Sequence, residues 1–293
     1  MVAISFAPIL VRYSDAPVSV QGMYRMLFTF LLMLPFSRKQ LPAVRNVSVK
    51  NWLLLVLAGL FLGLHFLLWM ASLNYTSIAS STIILSLEPV LVMAGAYFIY
   101  KDRSSRKAVL GMLIALVGAV GIGFGDIGLS HRAFMGDFLS LLSAVAIAVN
   151  MLIAKKIMEQ VPAYLYSWVV FGITFCFFAG YNLVQGIPFG GYPSKDWVLF
   201  LLLAIVPTVF GHLIFNWLLT YVKAATVSMS VLAEPVGSSI LAIFLFGEMI
   251  SSFQLAGGAL IIIGLLLYLR SEQSEAKEKT ESDVHRADSP LAS

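Results

Sequence analysis

The sequence predicts an all-α integral membrane protein with ten transmembrane helices, arranged as two inverted repeats of five helices. Three observations lead to this fold class. The composition is too apolar for a soluble domain, the apolar stretches are long enough to cross a bilayer, and the second half of the chain repeats the pattern of the first. Apolar residues fill 59% of the 293 positions and charged residues only 12%, whereas about a quarter of residues in soluble domains are charged.

Apolar stretches of membrane-crossing length recur along the whole chain. A helix needs roughly 20 apolar residues to cross a hydrocarbon core of about 30 Å. The connections are short, and only the residues from Arg270 onward are plainly hydrophilic. We expect 271–293 to be a disordered cytoplasmic tail, because few apolar groups offset its ordering entropy. The predicted spans 1 to 10 cover residues 1–13, 20–36, 52–73, 77–100, 108–124, 137–155, 164–184, 197–219, 226–247 and 253–269.

Basic residues predict the orientation of these spans. With both termini in the cytoplasm, the loops outside the membrane hold only Arg132 and Lys195 as basic residues. Lysine and arginine concentrate on the cytoplasmic side of membrane proteins, so the net charge of +4 has a topological explanation and does not indicate nucleic-acid binding. The predicted cytoplasmic segments, which hold nearly all other basic residues, are 37–51, 101–107, 156–163, 220–225 and the tail.

The two halves of the chain match when the sequence is shifted by 146 positions, which places 73–118 on 219–264 without a gap. We expect a first repeat at 1–125 (spans 1 to 5) and a second at 134–270 (spans 6 to 10). Because five spans is an odd number, the repeats should cross the membrane in opposite senses. The turn KDRSSRK at 101–107 carries four basic residues and its counterpart GEMISSF at 247–253 carries none, as opposite orientations require.

The repeat also bears on the start of the chain. Matching Pro17 to Pro162 needs a shift of 145 and places the beginning of the first helix about nine residues before Met1. A span of about 13 residues is too short for the hydrocarbon core. We therefore expect the first helix to be truncated at its N-terminus, with the native start upstream of Met1.

A glutamate followed by a proline interrupts spans 4 and 9 at matching positions, Glu88–Pro89 and Glu234–Pro235. A carboxylate at the bilayer centre is costly, about 2.5 to 3.5 kcal/mol on insertion scales. Each proline frees the carbonyl four residues earlier and should kink its helix. Two interpretations stay open. The glutamates line a pathway, or they are neutral and hydrogen-bond a neighbouring helix as packing contacts.

Polar residues at helical spacing supply the remaining candidates. Arg25 aligns with Val170 when the two repeats are compared, so the shared scaffold does not require a cation at this position. It is either a partner for a carboxylate or an arginine that reaches the headgroups. The two histidines are pathway groups or satisfied interhelical hydrogen bonds, and Tyr24 and Trp217 are aromatic residues with wall or packing roles. The candidate pathway residues are Glu88, Pro89, Glu234, Pro235, Arg25, His65, Trp69, Asn150, His212 and Asn216.

The chain resembles the EamA-type family of the drug/metabolite transporter (DMT) superfamily over about residues 1–270. The resemblance rests on the double repeat, on the paired glycines Gly111/Gly118 and Gly257/Gly264, and on one phrase present in each half. That phrase is Tyr75, Ala79, Glu88, Pro89 and Val90, repeated as Tyr221, Ala225, Glu234, Pro235 and Val236.

The resemblance implies a bacterial inner-membrane permease, often an exporter of amino acids or other metabolites, that works by alternating access. The implied partners are a small-molecule substrate and the lipid bilayer, without nucleic acid, and protons are the candidate coupling ion. We expect a site between the repeats, lined by spans 1 to 4 and 6 to 9, in a monomer or homodimer. No enzymatic activity, cofactor or metal is expected.

Two alternatives belong to other classes. A membrane scaffold or sensor without transport predicts no aqueous cavity between the halves. The phrase GFGD at 123–126 matches intramembrane aspartyl proteases, which need two aspartates that share a proton. Asp126 and Asp137 are the only candidates for such a pair, and a glycine turn at a helix end also accounts for the phrase.

Overall fold

The computed structural model describes residues 2–37, 44, 47–76, 78–123, 131–234, 236–238, 240–241 and 252–288. All regular secondary structure in these ranges is helical, which confirms the all-α prediction, and each predicted span contains at least part of a helix. The helices are α1 (Val2–Tyr13), α2 (Val18–Ser37), α3 (Val49–Ser72), α4 (Ile78–Leu85), α5 (Glu88–Tyr100), α6 (Arg106–Gly123), α7 (His131–Ile157), α8 (Ala163–Val184), α9 (Ser194–Leu218), α10 (Ala224–Val231) and α11 (Ser252–Asp288).

Six of the described helical segments are long and apolar enough to cross a membrane: α2, α3, α7, α8, α9 and Leu255–Ser274 of α11. Helices α1 and α5 are apolar but shorter. Large apolar side chains such as Leu113, Val117 and Leu183 are more than half exposed on the outside of the bundle, where they suit contact with lipid. The protein is therefore a multi-pass membrane protein.

Span 4 is interrupted at its glutamate. Helix α4 ends at Leu85, Ser86 and Leu87 form a turn, and α5 begins at Glu88 with Pro89 in its first turn. A proline has no N–H to donate and its ring clashes with the carbonyl four residues earlier, so a helix running through Leu85 cannot continue unchanged. In span 9, α10 ends at Val231 in the matching place and Glu234 follows a two-residue turn. Pro235 lies outside the described residues.

Helix α9 widens around Pro207, a feature the sequence did not predict. Residues Ala204–Leu213 form π-helical turns, and the Thr208 hydroxyl donates to the carbonyl of Leu203 at 2.8 Å. The wide turn accommodates a proline that cannot donate to an α-helical ladder, and such turns often occur at functional sites. This segment carries His212, one of the candidate pathway residues.

Helices α6 and α11 pack closely through glycines. A β-carbon at Gly111 would lie 2.7 Å from the carbonyl oxygen of Gly264, and one at Gly118 would lie 2.5 Å from that of Gly257. Small residues allow transmembrane helix backbones to approach in this way. The contact is reciprocal, because the 146-position shift relates Gly111 to Gly257 and Gly118 to Gly264.

Beyond Arg270, α11 continues as a helix to Asp288 in the structure. Its first turn beyond Arg270 is held in place, since Glu272 pairs with Lys223 at 3.1 Å. The residues that follow are rich in alanine, glutamate and lysine, which favour helix. A helix of this composition has no apolar face to bury, so disorder of the tail in solution stays a prediction.

Candidate functional site

A cavity lies among the helices that surround the two glutamates. Helices α1 to α5 and α7 to α10 each contribute side chains, and Glu234 completes the wall. These helices belong to spans 1 to 4 and 6 to 9. The lining residues are Ile4, Ala7, Arg25, Leu62, His65, Phe66, Trp69, Leu85, Glu88, Ile147, Asn150, Met151, Tyr166, Val170, Phe171, His212, Phe215, Asn216, Val231 and Glu234.

The structure brings together eight of the ten candidate residues on this wall. They are Arg25, His65, Trp69, Glu88, Asn150, His212, Asn216 and Glu234. Pro89 is buried in the first turn of α5 and acts on the backbone rather than on the cavity surface. Pro235 is outside the described residues. The transport roles assigned to these residues stay predictions, but their positions make a common site geometrically possible.

Arg25 is completely buried on the cavity wall. Its Nε donates to the Thr208 hydroxyl at 2.7 Å, and its guanidinium carbon lies 4.1 Å from the centre of the Phe66 ring. This position excludes a side chain that reaches out to the headgroups. Within the described part of the chain, Nη1 and Nη2 have no hydrogen-bond partner. A buried cation with open donors is costly unless an acceptor meets it.

The two glutamates are each 3% exposed and lie on the same wall as Arg25. Oε1 of Glu88 has no partner among the described residues. Both residues follow a helix break, so the backbone interruption fixes where each carboxyl group stands. The cavity thus combines one guanidinium with two carboxyl groups.

His65 contacts Ser143 on α7 through both its ring and its backbone carbonyl. The Ser143 hydroxyl donates to the His65 carbonyl at 3.0 Å, while His65 Nδ1 lies 2.8 Å from the Ser143 hydroxyl and 3.2 Å from the Ser143 carbonyl. Since a carbonyl only accepts, the contact with the Ser143 carbonyl favours a proton on Nδ1. Nε2 is then an acceptor. The ring stacks on Trp69, whose Nε1 has no partner in the described ranges.

Hydrogen bonds between helices orient the remaining polar residues. Asn150 donates to the carbonyl of Ala58 at 2.8 Å, and Asn216 donates to the hydroxyl of Ser167 at 3.1 Å. The His212 ring meets the Phe66 ring edge-on, with 5.1 Å between centres. These contacts also satisfy the packing interpretation of each residue, so they explain orientation and leave function to be tested.

Sequence reasoning found Trp69 but missed the other aromatic residues of the wall: Phe66, Tyr166, Phe171 and Phe215. An aromatic residue in an apolar helix gives no contrast that separates a cavity face from a packed face. Two aromatic candidates lie elsewhere. Tyr24 stacks on Phe200, and Trp217 is 53% exposed.

The aspartyl protease alternative gains no support from Asp137. Its carboxylate accepts a hydrogen bond from the Thr76 hydroxyl at 2.9 Å, near the start of α7. The other aspartate, Asp126, and the preceding Phe124 and Gly125 lie outside the described residues.

Comparison with known families decides the class of protein. A model described as the EamA-like transporter family matches residues 1–124 and 134–270. The chain belongs to this family. The resemblance to the drug/metabolite transporter superfamily inferred from the paired motifs is thereby confirmed, and the family is one of transporters.

Individual relatives of this EamA-like protein carry transporter names. It is 26% identical to an uncharacterized transporter of Archaeoglobus fulgidus, over 84% of each chain. It is 26% identical to the uncharacterized transporter YetK of Bacillus subtilis, over 86% of this chain and 78% of that one. A probable amino-acid metabolite efflux pump of Salmonella typhimurium is 28% identical over 64% of this chain and 66% of the relative.

A solved crystal structure supports the fold of the EamA-like chain. The two superpose with a TM-score of 0.77, covering 94% of this chain and 96% of the other at 17% identity. Identity at this level supports the fold alone.

Proposed function

We propose that this EamA-like protein is a secondary transporter that exports small metabolites such as amino acids across the bacterial inner membrane. The cavity between the halves would open alternately to the cytoplasm and to the outside, with both termini in the cytoplasm. The observation that carries the proposal is the buried Arg25, whose two open donors line a cavity with aromatic walls. A guanidinium fork binds a carboxylate through two parallel hydrogen bonds.

The chemistry of the wall suits a zwitterion. Arg25 would hold the carboxylate of an amino acid, and Glu88 or Glu234 would accept the ammonium group or a proton. Phe66, Phe171 and Phe215 would enclose the apolar part of the substrate. The efflux activity named for the Salmonella relative supports the substrate class and the outward direction, and protons are the proposed coupling ion.

Contacts between helices support the arrangement as two inverted five-helix repeats at 1–125 and 134–270. The reciprocal glycine contact of α6 with α11 is what two helices related by a two-fold axis make, since each glycine meets the counterpart of the other. Inverted repeats of this kind place the substrate site at their interface near the bilayer midplane, and residues of both proposed repeats line the cavity. One chain holds both halves, so a monomer suffices.

Reconstitution into liposomes tests the function. Vesicles loaded with an unlabelled mixture of L-amino acids should take up a radiolabelled mixture by counterflow, and Arg25→Gln should abolish the uptake while the protein stays folded. A pH gradient should accelerate net flux if protons are coupled, whereas equal flux with and without the gradient indicates a facilitator. If neither amino acids nor a wider metabolite panel exchanges or raises the melting temperature, the transport proposal fails in favour of a scaffold or sensor.

A further inference from the structure

Two cationic side chains tie corresponding helices together on opposite sides of the membrane. Nη2 of Arg12 in α1 donates to the carbonyls of Leu73 and Thr76 at 3.2 and 2.9 Å, after the end of α3. Nζ of Lys155 in α7 donates to the carbonyls of Leu219 and Val222 at 2.8 and 2.9 Å, after the end of α9. The 146-position shift places Leu73 on Leu219 and Thr76 on Val222, whereas Arg12 and Lys155 are 143 positions apart. The two ties therefore join corresponding helices at corresponding acceptors, with donors that differ in register by about one helical turn.

A second equivalent pair joins each half to the other. Asn51, the third residue of α3, donates to Gln160 at 2.8 Å. Asp196, the third residue of α9, accepts from the Ser14 hydroxyl at 2.7 Å and from the Asp15 backbone at 3.2 Å. The 145-position shift that aligns the prolines also places Asp15 on Gln160.

Equivalent ties identify parts of the molecule that do not move. In an inverted-repeat transporter, the outward-facing and inward-facing states arise when the two halves exchange conformations. A contact present in both halves at once exists in both conformations and is therefore kept throughout the cycle. The four ties above connect α1, α3, α7 and α9, together with the turns that lead into α2 and α8. We call this set of helices the frame.

One buried polar cluster has no equivalent in the second half. The hydroxyls of Ser72 on α3, Ser81 on α4 and Ser140 on α7 form a closed triangle with sides of 2.8, 2.9 and 2.9 Å. All three side chains are fully buried. The 146-position shift replaces Ser72 by Leu218 and Ser81 by Val227, and these residues cannot form such bonds. The symmetry of the two halves therefore does not require these three hydrogen bonds to persist through the transport cycle.

The triangle lies immediately beyond the outer end of the cavity. The Ser72 hydroxyl donates to the carbonyl of the cavity residue Trp69 at 2.7 Å. Ser72 and Ser140 belong to the frame, whereas Ser81 is on α4, an eight-residue helix separated from α5 by the Ser86–Leu87 turn. Serine hydroxyls exchange protein partners for water at small net cost, which suits a contact that opens and closes.

We propose that α4 is the outer gate of the transporter and that Ser81 is its latch. Docking of Ser81 between Ser72 and Ser140 closes the cavity to the outside, and α4 undocks by turning about Ser86 and Leu87 while the frame stays in place. This gate rests on the proposed transport function, since alternating access is what requires it.

Reagent access to single cysteines tests the gate without knowledge of the substrate. In a Cys176→Ala background, Ser81→Cys is exposed to a membrane-impermeant methanethiosulfonate in right-side-out vesicles. We expect its modification from outside, because undocking admits water to position 81. The matched control is Ser19→Cys, which is buried near the outer end of α2 and should react at least tenfold more slowly. Equal rates at the two positions, or no reaction at position 81, overturn the gate.

Cross-linking supplies the second test. The hydroxyl oxygens of Ser81 and Ser140 lie 2.9 Å apart, so cysteines at both positions can reach the disulfide length of about 2.0 Å with small rotations. Oxidation of Ser81→Cys/Ser140→Cys should stop counterflow of the labelled amino-acid mixture, and reduction should restore it. Bridging Asn51→Cys and Gln160→Cys with a short bis-maleimide should leave counterflow intact, because that tie belongs to the frame.

The outcomes separate the gate from the function. Counterflow that persists through the oxidised Ser81–Ser140 pair contradicts the gate and leaves transport standing. Arrest by the Asn51–Gln160 bridge contradicts the frame, from which the gate was inferred. If the Cys176→Ala parent exchanges no amino acid, the proposed substrate class fails, and the access measurement at position 81 still decides whether α4 opens.

Discussion

At the scale of single residues, the molecule's most informative group is the guanidinium of Arg25. Removing its charge by Arg25→Gln leaves a carboxylate ligand without its bidentate partner. Hydrogen bonds to charged groups contribute about 1.5 to 3 kcal/mol, so we expect amino-acid binding to weaken roughly 10- to 100-fold. Arg25→Lys keeps the charge but loses the planar fork. Its affinity for amino acids should lie between that of the unsubstituted protein and that of Arg25→Gln. Ligand-induced shifts in melting temperature measure the affinities.

Lys195→Gln is the control for this series. Lys195 pairs with Asp15 at 3.3 Å on an exposed surface, and such pairs contribute little to stability or binding. Its affinity should match the unsubstituted protein. Equal affinity in Arg25→Gln would show that the substrate carboxylate binds elsewhere.

The paired glutamates carry a separate prediction about proton coupling. Glutamine has nearly the same shape as glutamate but does not ionise in this pH range, so Glu88→Gln or Glu234→Gln should remove the dependence of flux on a pH gradient. Counterflow measured between pH 5.5 and 8.5, with and without the gradient, checks this. Normal, gradient-dependent flux in both variants would show that neither carboxyl group couples protons.

These residues mark how far a single sequence leads. Seven of the eight candidates on the cavity wall could be found because a polar group in an apolar helix contrasts with its surroundings, and Trp69 could be found because it shares a helix face with His65. Phe171 and Phe215 could not be found, since the sequence gives no signal that distinguishes an aromatic side chain in contact with lipid from one in the core or on a cavity wall. Whether Arg25 pointed inward or reached the headgroups depended on the rotation of α2, which Thr208 and Phe66 on other helices determine.

At the scale of helices, the glycine contact between α6 and α11 makes a clear prediction about stability. In Gly111→Ala the new β-carbon would meet backbone atoms of Gly264 and Tyr268 at 2.7 and 2.8 Å, and backbone cannot move aside as a flexible side chain does. Overpacking typically costs about 1 to 3 kcal/mol. We expect a lower melting temperature in detergent, measured by intrinsic fluorescence.

Gly180→Ala is the matched control, because a β-carbon there meets nothing within 4 Å on α8. Alanine is the better helix former by about 0.5 to 1 kcal/mol, so this variant should be as stable as the parent or slightly more stable. Equal melting temperatures for the two alanine variants would contradict the close approach of α6 and α11.

Helix breaks were only partly readable in advance. Pro89 predicted a kink in span 4, and the structure contains a complete interruption between Leu85 and Glu88. Pro207 gave the same local signal in α9, yet there the helix widens to π-helical turns instead of ending. Which response occurs depends on partners for the freed carbonyls. The Thr208 hydroxyl is such a partner for Leu203.

At the scale of the whole molecule, the two matching halves of the sequence differ in the charge of their loops. The turn at 101–107 has four basic residues where its counterpart has none. These positive charges disfavour insertion of the chain in the reverse orientation, whereas the contacts between helices are the same in either orientation. Orientation and fold are thus separate properties of one sequence. The first depends on loop lysines and arginines, and the second depends on contacts such as those of Gly118 with Gly257.

This separation yields a prediction about topology that does not depend on transport. In the Cys176→Ala background, Gly190→Cys should react from outside intact spheroplasts with a membrane-impermeant maleimide, because Gly190 lies in the α8–α9 turn with open space around its β-position. Ser274→Cys, exposed on α11 at the C-terminal end of the membrane-crossing segment, should react only after permeabilisation. The reverse pattern would place both termini outside. Labelling of both positions in intact cells would indicate dual orientation, in which case the charge difference between the two turns is too small to choose one.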